Sequence, residues 1–184
     1  AIDSDVLVLA GARTEVVAHD MYRRLAGDVR RNGVTVIADL SGEPLAAALA
    51  GGVDVLKVSD DQLRHDGYLS GDDRDDVIAA IDKVRKAGAA NVVVSRSSAP
   101  TIAAIDGDVL EVRGPDIDPV DSHGGGDSMT GALAATLARG EPWDTALRLA
   151  TAAAIAGVLR HGLASARRED IQRLAGSVKV STVT

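Results

Sequence analysis

The sequence predicts an α/β protein built on a mostly parallel sheet. Short apolar runs recur at residues 6–9, 34–38, 54–58 and 91–95, too brief for helices and without the alternation of a strand that has one wet face. Longer amphipathic segments separate them, so strand and helix alternate as in successive βαβ units. Hydrophobic residues make up 46% of the 184, yet aromatic residues only 2%, with no Phe. The core must therefore be packed from Ala, Val, Leu and Ile.

The elements follow in order. The run at 6–9 ends near Gly11. A helix is expected over about 15–31, with Val16, Met21, Leu25 and Val29 on one side and Arg23, Arg24 and Arg30 elsewhere. Asn32-Gly33 closes it with residues that tolerate a left-handed cap. After the strand at 34–38, Ser41-Gly42 leads into an Ala-rich helix around 44–50, ended by Gly51-Gly52. The strand at 54–58 gives way to an Asp- and Gly-rich stretch, 59–76, read as short helix plus loop. An amphipathic helix over 77–87 stops at Gly88, and the strand at 91–95 follows. Strands at 101–105 and 109–112 flank Asp106-Gly107-Asp108, a hairpin signature. A Pro-containing link over 114–120 reaches a glycine cluster. Helices near 127–139, 143–160 and 168–174 complete the chain. No repeat, low-complexity tract or linker stands out, so one domain is expected.

Charge and composition narrow the function. With net charge −7 and pI about 5.0, most of the surface repels a polyanion, which disfavours nucleic-acid and membrane-surface roles. Scarce aromatics argue against stacking bases. Cysteine is absent, which excludes disulfides and thiolate metal sites and makes a reducing cytoplasm the simplest setting. No run of about 18 apolar residues is present to span a membrane. The first residues, Ala1 to Asp5, carry neither a basic leader nor an initiator Met, and a strand starts almost at once. A fragment or a processed chain is the expectation.

The chemistry concentrates in Asp121-Ser122-His123-Gly124-Gly125-Gly126-Asp127-Ser128-Met129-Thr130-Gly131-Ala132. Three successive glycines allow the backbone to turn amides toward one point, and they run into an apolar helix expected to begin near Asp127. Glycine bend plus helix N-terminus makes an anion site suited to phosphate. A carboxylate there repels an anion, but it makes sense if it takes a proton from a hydroxyl that attacks phosphorus. Other readings fail on spacing. Gly126 and Gly131 stand apart like P-loop glycines, but Ala132 replaces the lysine. His123 to Gly126 matches an esterase oxyanion signature, but no G-x-S-x-G elbow occurs. Met129 occupies the third glycine position of a dinucleotide fingerprint. A flexible loop with a helix-capping Asp is the bland alternative.

Residues 121–132 resemble the second signature of the ribokinase-like, or PfkB-type, carbohydrate kinases, D-T-x-G-A-G-D-[ST]-[FM]-x-G-A. The resemblance runs collinearly along the chain. Leu9 to Thr14 stands at that family's Gly-Ser-Leu-Pro loop. Ile37 to Glu43 is similar to a D-[TL]-S-G-E segment of the phosphofructokinase branch, Leu56 to Leu63 to K-P-N-x-x-E-L, and Val92 to Ser98 to a strand and loop along the nucleotide. It implies a ribokinase-like (Rossmann-like) α/β fold with helices on both faces of the sheet, here without the family's N-terminal part and lid.

The resemblance also implies roles. Asp127 is similar to the catalytic base, and Gly124, Gly125 and Gly126 to the anion hole. Lys57, Ser59, Ser95 and Ser97 fall at nucleotide-contacting positions, and Asp121 at a monovalent-cation ligand. ATP, magnesium and potassium are the implied cofactors, a sugar or sugar phosphate the substrate. A homodimer or a complementing N-terminal segment is the implied partner, since the first strand is an interior one in the family and would otherwise expose its edge. Lys57 also reads as a solvated strand-end charge, and Ser95 and Ser97 as plain turn residues.

There are departures. Ser59 and Gln62 stand in the N-x-x-E motif that orders magnesium and phosphate, which leaves Asp60, Asp61 or water for the ion. Ser97 and Pro100 replace two glycines of the nucleotide loop, and proline cannot adopt a positive φ. His123 replaces a small residue, either adding a phosphate contact or being merely tolerated. The implied activity is ATP-dependent phosphotransfer to a sugar hydroxyl. A degenerate kinase serving as a nucleotide- or metabolite-binding regulatory module, and an inactive fragment, remain as alternatives. His19, His65 and His161 lack metal-ligand spacing.

Overall fold

Residues 3–11, 17–97, 99–121, 123–162 and 166–183 are described by the computed structural model, with the backbone alone at His19. Two compact units are present. The first comprises Ala1–Arg96 and Ile102–Val109, the second Ser97–Thr101 and Leu110–Thr184.

In the first unit the order is β1 (Val6–Ala10), α1 (His19–Arg31), β2 (Thr35–Asp39), α2 (Gly42–Gly51), β3 (Val53–Ser59), α3 (Asp60–His65), α4 (Arg74–Ala87), β4 (Ala89–Ser95) and β5 (Thr101–Ile105). Strands β1 to β4 pair in parallel, and β5 joins β4 antiparallel. The centres of β2, β3 and β4 are largely apolar because the sheet interior covers both faces there, with Asp39, Asp54 and Lys57 as charged exceptions. Val36, Ile37, Ala38, Val55, Leu56, Val58 and Val92 to Val94 are all buried. The registers Ala10↔Asp39 and Ser59↔Ser95 bring the carboxyl ends of the strands to one sheet edge, where open α/β sheets bind ligands. At the other side of the strand order, β1 has β2 as its single partner among the described residues.

Helix boundaries follow local chemistry. Helix α1 carries Asp20 in its first turn and Arg30 and Arg31 in its last, which complements the helix dipole. It starts at His19; the expected residues Glu15 and Val16 lie outside the described region. Helix α4 starts at Arg74, three residues before the expected 77. The Asp76 carboxylate accepts the main-chain N–H of Asp73 at 3.3 Å, and Asp75 and Asp76 favour a helix start. Helix α2 likewise starts earlier than expected, at Gly42. The hairpin signature holds: Asp106 (φ 53°) and Gly107 (φ 100°) form the two-residue turn between β5 and β6 (Asp108–Arg113).

Beyond its first two residues, β6 belongs to the second unit, with α5 (Gly125–Leu137), α6 (Trp143–Val158), α7 (Arg168–Ala175) and β7 (Lys179–Thr182). Strand β7 pairs antiparallel with β6, from Leu110↔Thr182 to Arg113↔Lys179. It is not anticipated by the sequence, because four residues with one partly buried side chain give no usable period. Helix α5 begins at Gly125 and not near Asp127, so two of the three glycines are helical.

Candidate functional site

The second unit holds the glycine cluster. Gly124 is the N-cap of α5 with φ 81° and ψ −5°, a left-handed conformation that costs other residues about 1–2 kcal/mol. The first helical bond runs from the Ser128 N–H to the Gly124 carbonyl at 2.9 Å. The amides of Gly125, Gly126 and Asp127 therefore precede the helical ladder and project from the helix start. This set of free amides lies one residue further toward Asp127 than the expected Gly124–Gly126. Gly125 has a second reason to lack a side chain: a Cβ there would lie 2.9 Å from Val158 Cγ1 on α6. Asp127 is the third residue of the helix, and its side chain is exposed. A carboxylate and three outward amides thus share one helical turn.

The approach to this turn is fastened to the end of α6. The Val120 and Asp121 N–H groups both donate to the Val158 carbonyl, at 2.8 and 3.1 Å. Asp121 Oδ1 accepts the main-chain N–H of His123 at 3.0 Å and lies 2.8 Å from its Nδ1. The main-chain hydrogen bond first, and the ring's second, hold the Asp121 carboxyl below its ordinary value; the charges of His123 and His161 act in the same sense. The His123 ring therefore engages Asp121 through Nδ1. Ser122 lies outside the described residues.

The first unit holds Lys57, Ser59 and Ser95. Lys57 is not a solvated strand-end charge: it is 3% exposed, and its Nζ donates to Asp39 Oδ2 at 3.1 Å. Position explains the pairing, since Asp39 ends β2 and Lys57 nears the end of the neighbouring β3. Ser59 Oγ accepts the Gln62 N–H at 3.1 Å, while Gln62 Oε1 accepts the Ser59 N–H at 2.8 Å. This reciprocal pair is a capping box at the start of α3. Ser95 Oγ makes a long contact, 3.4 Å, to the Val58 carbonyl. Ser97, in the second unit, is exposed at a bend.

Arg96 was not singled out by the sequence. Its Nη2 donates to the Asp72 carbonyl at 2.7 Å, and its Nε is buried without a hydrogen-bond partner. Only the position after Ser95, at a strand's carboxyl end, could have flagged it. Among the described residues no three His, Asp or Glu side chains converge on a metal position. Magnesium in phosphotransfer sites rests largely on substrate phosphates and water, so this donor set is compatible with it. Asp61 pairs with Arg64 at 2.9 Å, and Asp60 Oδ1 accepts the Asp61 N–H at 3.0 Å. An open groove of about 510 Å³ beside Arg30, Arg31 and Asp54 contains none of the expected site residues.

A glycine turn at a helix start, followed by an exposed Asp, is the arrangement on which comparison with known proteins bears. The model of the pfkB family carbohydrate kinases matches residues 3–170. The chain belongs to that family. It is 28% identical over 171 residues to the ATP-dependent 6-phosphofructokinase isozyme 2 of Escherichia coli (strain K12), covering 92% of this chain and 55% of that protein. It superimposes on the E. coli phosphofructokinase-2 crystal structure in complex with potassium with a TM-score of 0.85 and 28% identity, over 94% of this chain and 57% of the other. The Arabidopsis thaliana ribokinase structure complexed with ribose and ATP gives a TM-score of 0.79 at 23% identity, over 95% and 56%. The fold of this pfkB-family chain is thus ribokinase-like α/β. The chain spans little more than half the length of the relatives it matches.

Proposed function

We propose that this pfkB-family chain carries the catalytic and nucleotide-binding portion of an enzyme that transfers phosphate from ATP to a sugar or sugar-phosphate hydroxyl. The observation that carries the reading is the first turn of α5, where the Asp127 carboxylate stands beside the Gly125, Gly126 and Asp127 amides.

Each group has a task in that reaction. Asp127 accepts the proton of the attacking hydroxyl as its oxygen bonds to the terminal phosphorus. The bond from phosphorus to the bridging oxygen breaks, and ADP leaves with that electron pair. The amides of the Gly124–Gly126 turn, extended to that of Asp127, are oriented before reaction and stabilise the equatorial oxygens. Magnesium, held by the nucleotide's phosphates and water, would supply neutralisation of phosphate charge when bound. Lys57, held by Asp39, Ser59 with its capped hydroxyl, Ser95 and Ser97 are assigned to the nucleotide. The sugar-binding residues belong to a complementing N-terminal segment or to a second subunit.

Replacing Asp127 by Asn in the enzyme should lower turnover by about 10²–10⁴-fold with ATP binding retained. Assays against fructose 6-phosphate and ribose, with calorimetry of ATP, check it; an undiminished turnover would remove Asp127 from the role.

A second reading is favoured by the Ser59–Gln62 box. Both polar side chains at the motif expected to order magnesium cap a helix instead. A regulatory module that binds nucleotide or metabolite without turnover fits that feature. Calorimetry showing ATP–magnesium binding, together with no phosphotransfer to any sugar, would select it. Neither binding nor turnover would leave an inactive fragment.

A further inference from the structure

The potassium implied at Asp121 meets a carboxylate oxygen, Oδ1, that is already engaged. A monovalent cation needs oxygen lone pairs turned toward it, as carbonyl-lined potassium sites provide. Asp121 Oδ1 already accepts two hydrogens, from the His123 main-chain N–H at 3.0 Å and from the His123 ring at 2.8 Å. Two lone pairs facing each other at that distance would repel, so Nδ1 carries the proton. This holds for the neutral tautomer and for the imidazolium alike. A cation approaching Oδ1 would meet two hydrogens bearing partial positive charge.

The loop has what a cation would otherwise provide. Asp121 is fixed by its own N–H and that of Val120, both bonded to the Val158 carbonyl at the end of α6. Its carboxylate is bonded to the residue before Gly124, the N-cap of α5. We infer that His123 takes the place of a monovalent cation at Asp121, so that the loop entering the phosphate-binding turn is set by an imidazole and is indifferent to potassium. The inference rests on reading residues 121–127 as the phosphate-binding segment. Its test reads ion binding and not turnover, so either can fail alone.

The experiment measures thermal unfolding of the full chain in KCl, NaCl and choline chloride at equal ionic strength, with potassium titrated into the protein by calorimetry. The wild type should unfold at the same temperature in all three salts and give no saturable potassium heat. His123→Ala removes the ring hydrogen and leaves the main-chain N–H on Oδ1, which opens one lone pair to an ion, and its midpoint should rise by about 2–4 °C in KCl over choline chloride. His123→Gln, whose amide can still donate to Asp121, should remain insensitive. A saturable, potassium-specific stabilisation of the wild type would overturn the inference. So would a His123→Ala protein as indifferent to potassium as the wild type, because the imidazole would then not be what excludes the ion.

Discussion

Lys57 and Asp39 show how a single pair of side chains turns a surface-looking residue into part of the interior. Two neighbouring parallel strands end at the same sheet edge, so an ammonium on one and a carboxylate on the other meet with almost no water. Removing one partner of a buried pair strands the other charge. Asp39→Asn should destabilise the protein by about 3–5 kcal/mol in urea unfolding. Asp121 gives a prediction in pH. Its folded carboxyl titrates below its unfolded value, so its contribution to stability is present above the unfolded pKa. That contribution is lost as pH falls through the lower, folded pKa, in the acid range below the ordinary carboxylate value. Carbon-detected NMR should place its midpoint below the ordinary aspartate value, and His123→Ala should raise it.

At the scale of elements, α5 depends on two glycines for separate reasons. Gly124 supplies the left-handed cap, and Gly125 lets the first helical turn close on Val158 of α6. Gly125→Ala should cost about 1–3 kcal/mol, since the Val158 side chain must move. Gly131 is the internal control. It lies on the same helix, and a methyl group added there would meet nothing within 4 Å, so Gly131→Ala should be neutral or stabilising by about 0.5–1 kcal/mol. Thermal unfolding of both variants checks the contrast. The sequence places the glycine cluster and the helix correctly but starts the helix two residues late. Glycine reads as a breaker in sequence, whereas here the first two helical positions need no side chain and the third carries the carboxylate.

For the whole molecule, the open side of β1 matters most. Val8 on that strand is 38% exposed, and β1 has β2 alone as a described partner. An unpaired apolar edge templates association between copies. Val8→Lys should lower the fraction of associated chain in light scattering at high concentration, with helix content unchanged by circular dichroism. Scattering unaffected by the substitution would locate any association elsewhere. The net charge of −7 opposes such association at low salt, so the difference should widen as salt is added.

The sequence by itself determined the alternation of buried strands and helices, the Asp106-Gly107 turn, the family, and the position of the glycine turn and Asp127. These are properties of neighbouring residues, written in local period and in main-chain freedom. Tertiary structure alone decided that Lys57 is buried against Asp39 and that residues 179–182 form a strand. Each of these depends on what another segment places alongside, and residues 18 or 70 positions apart leave no periodic trace of their meeting.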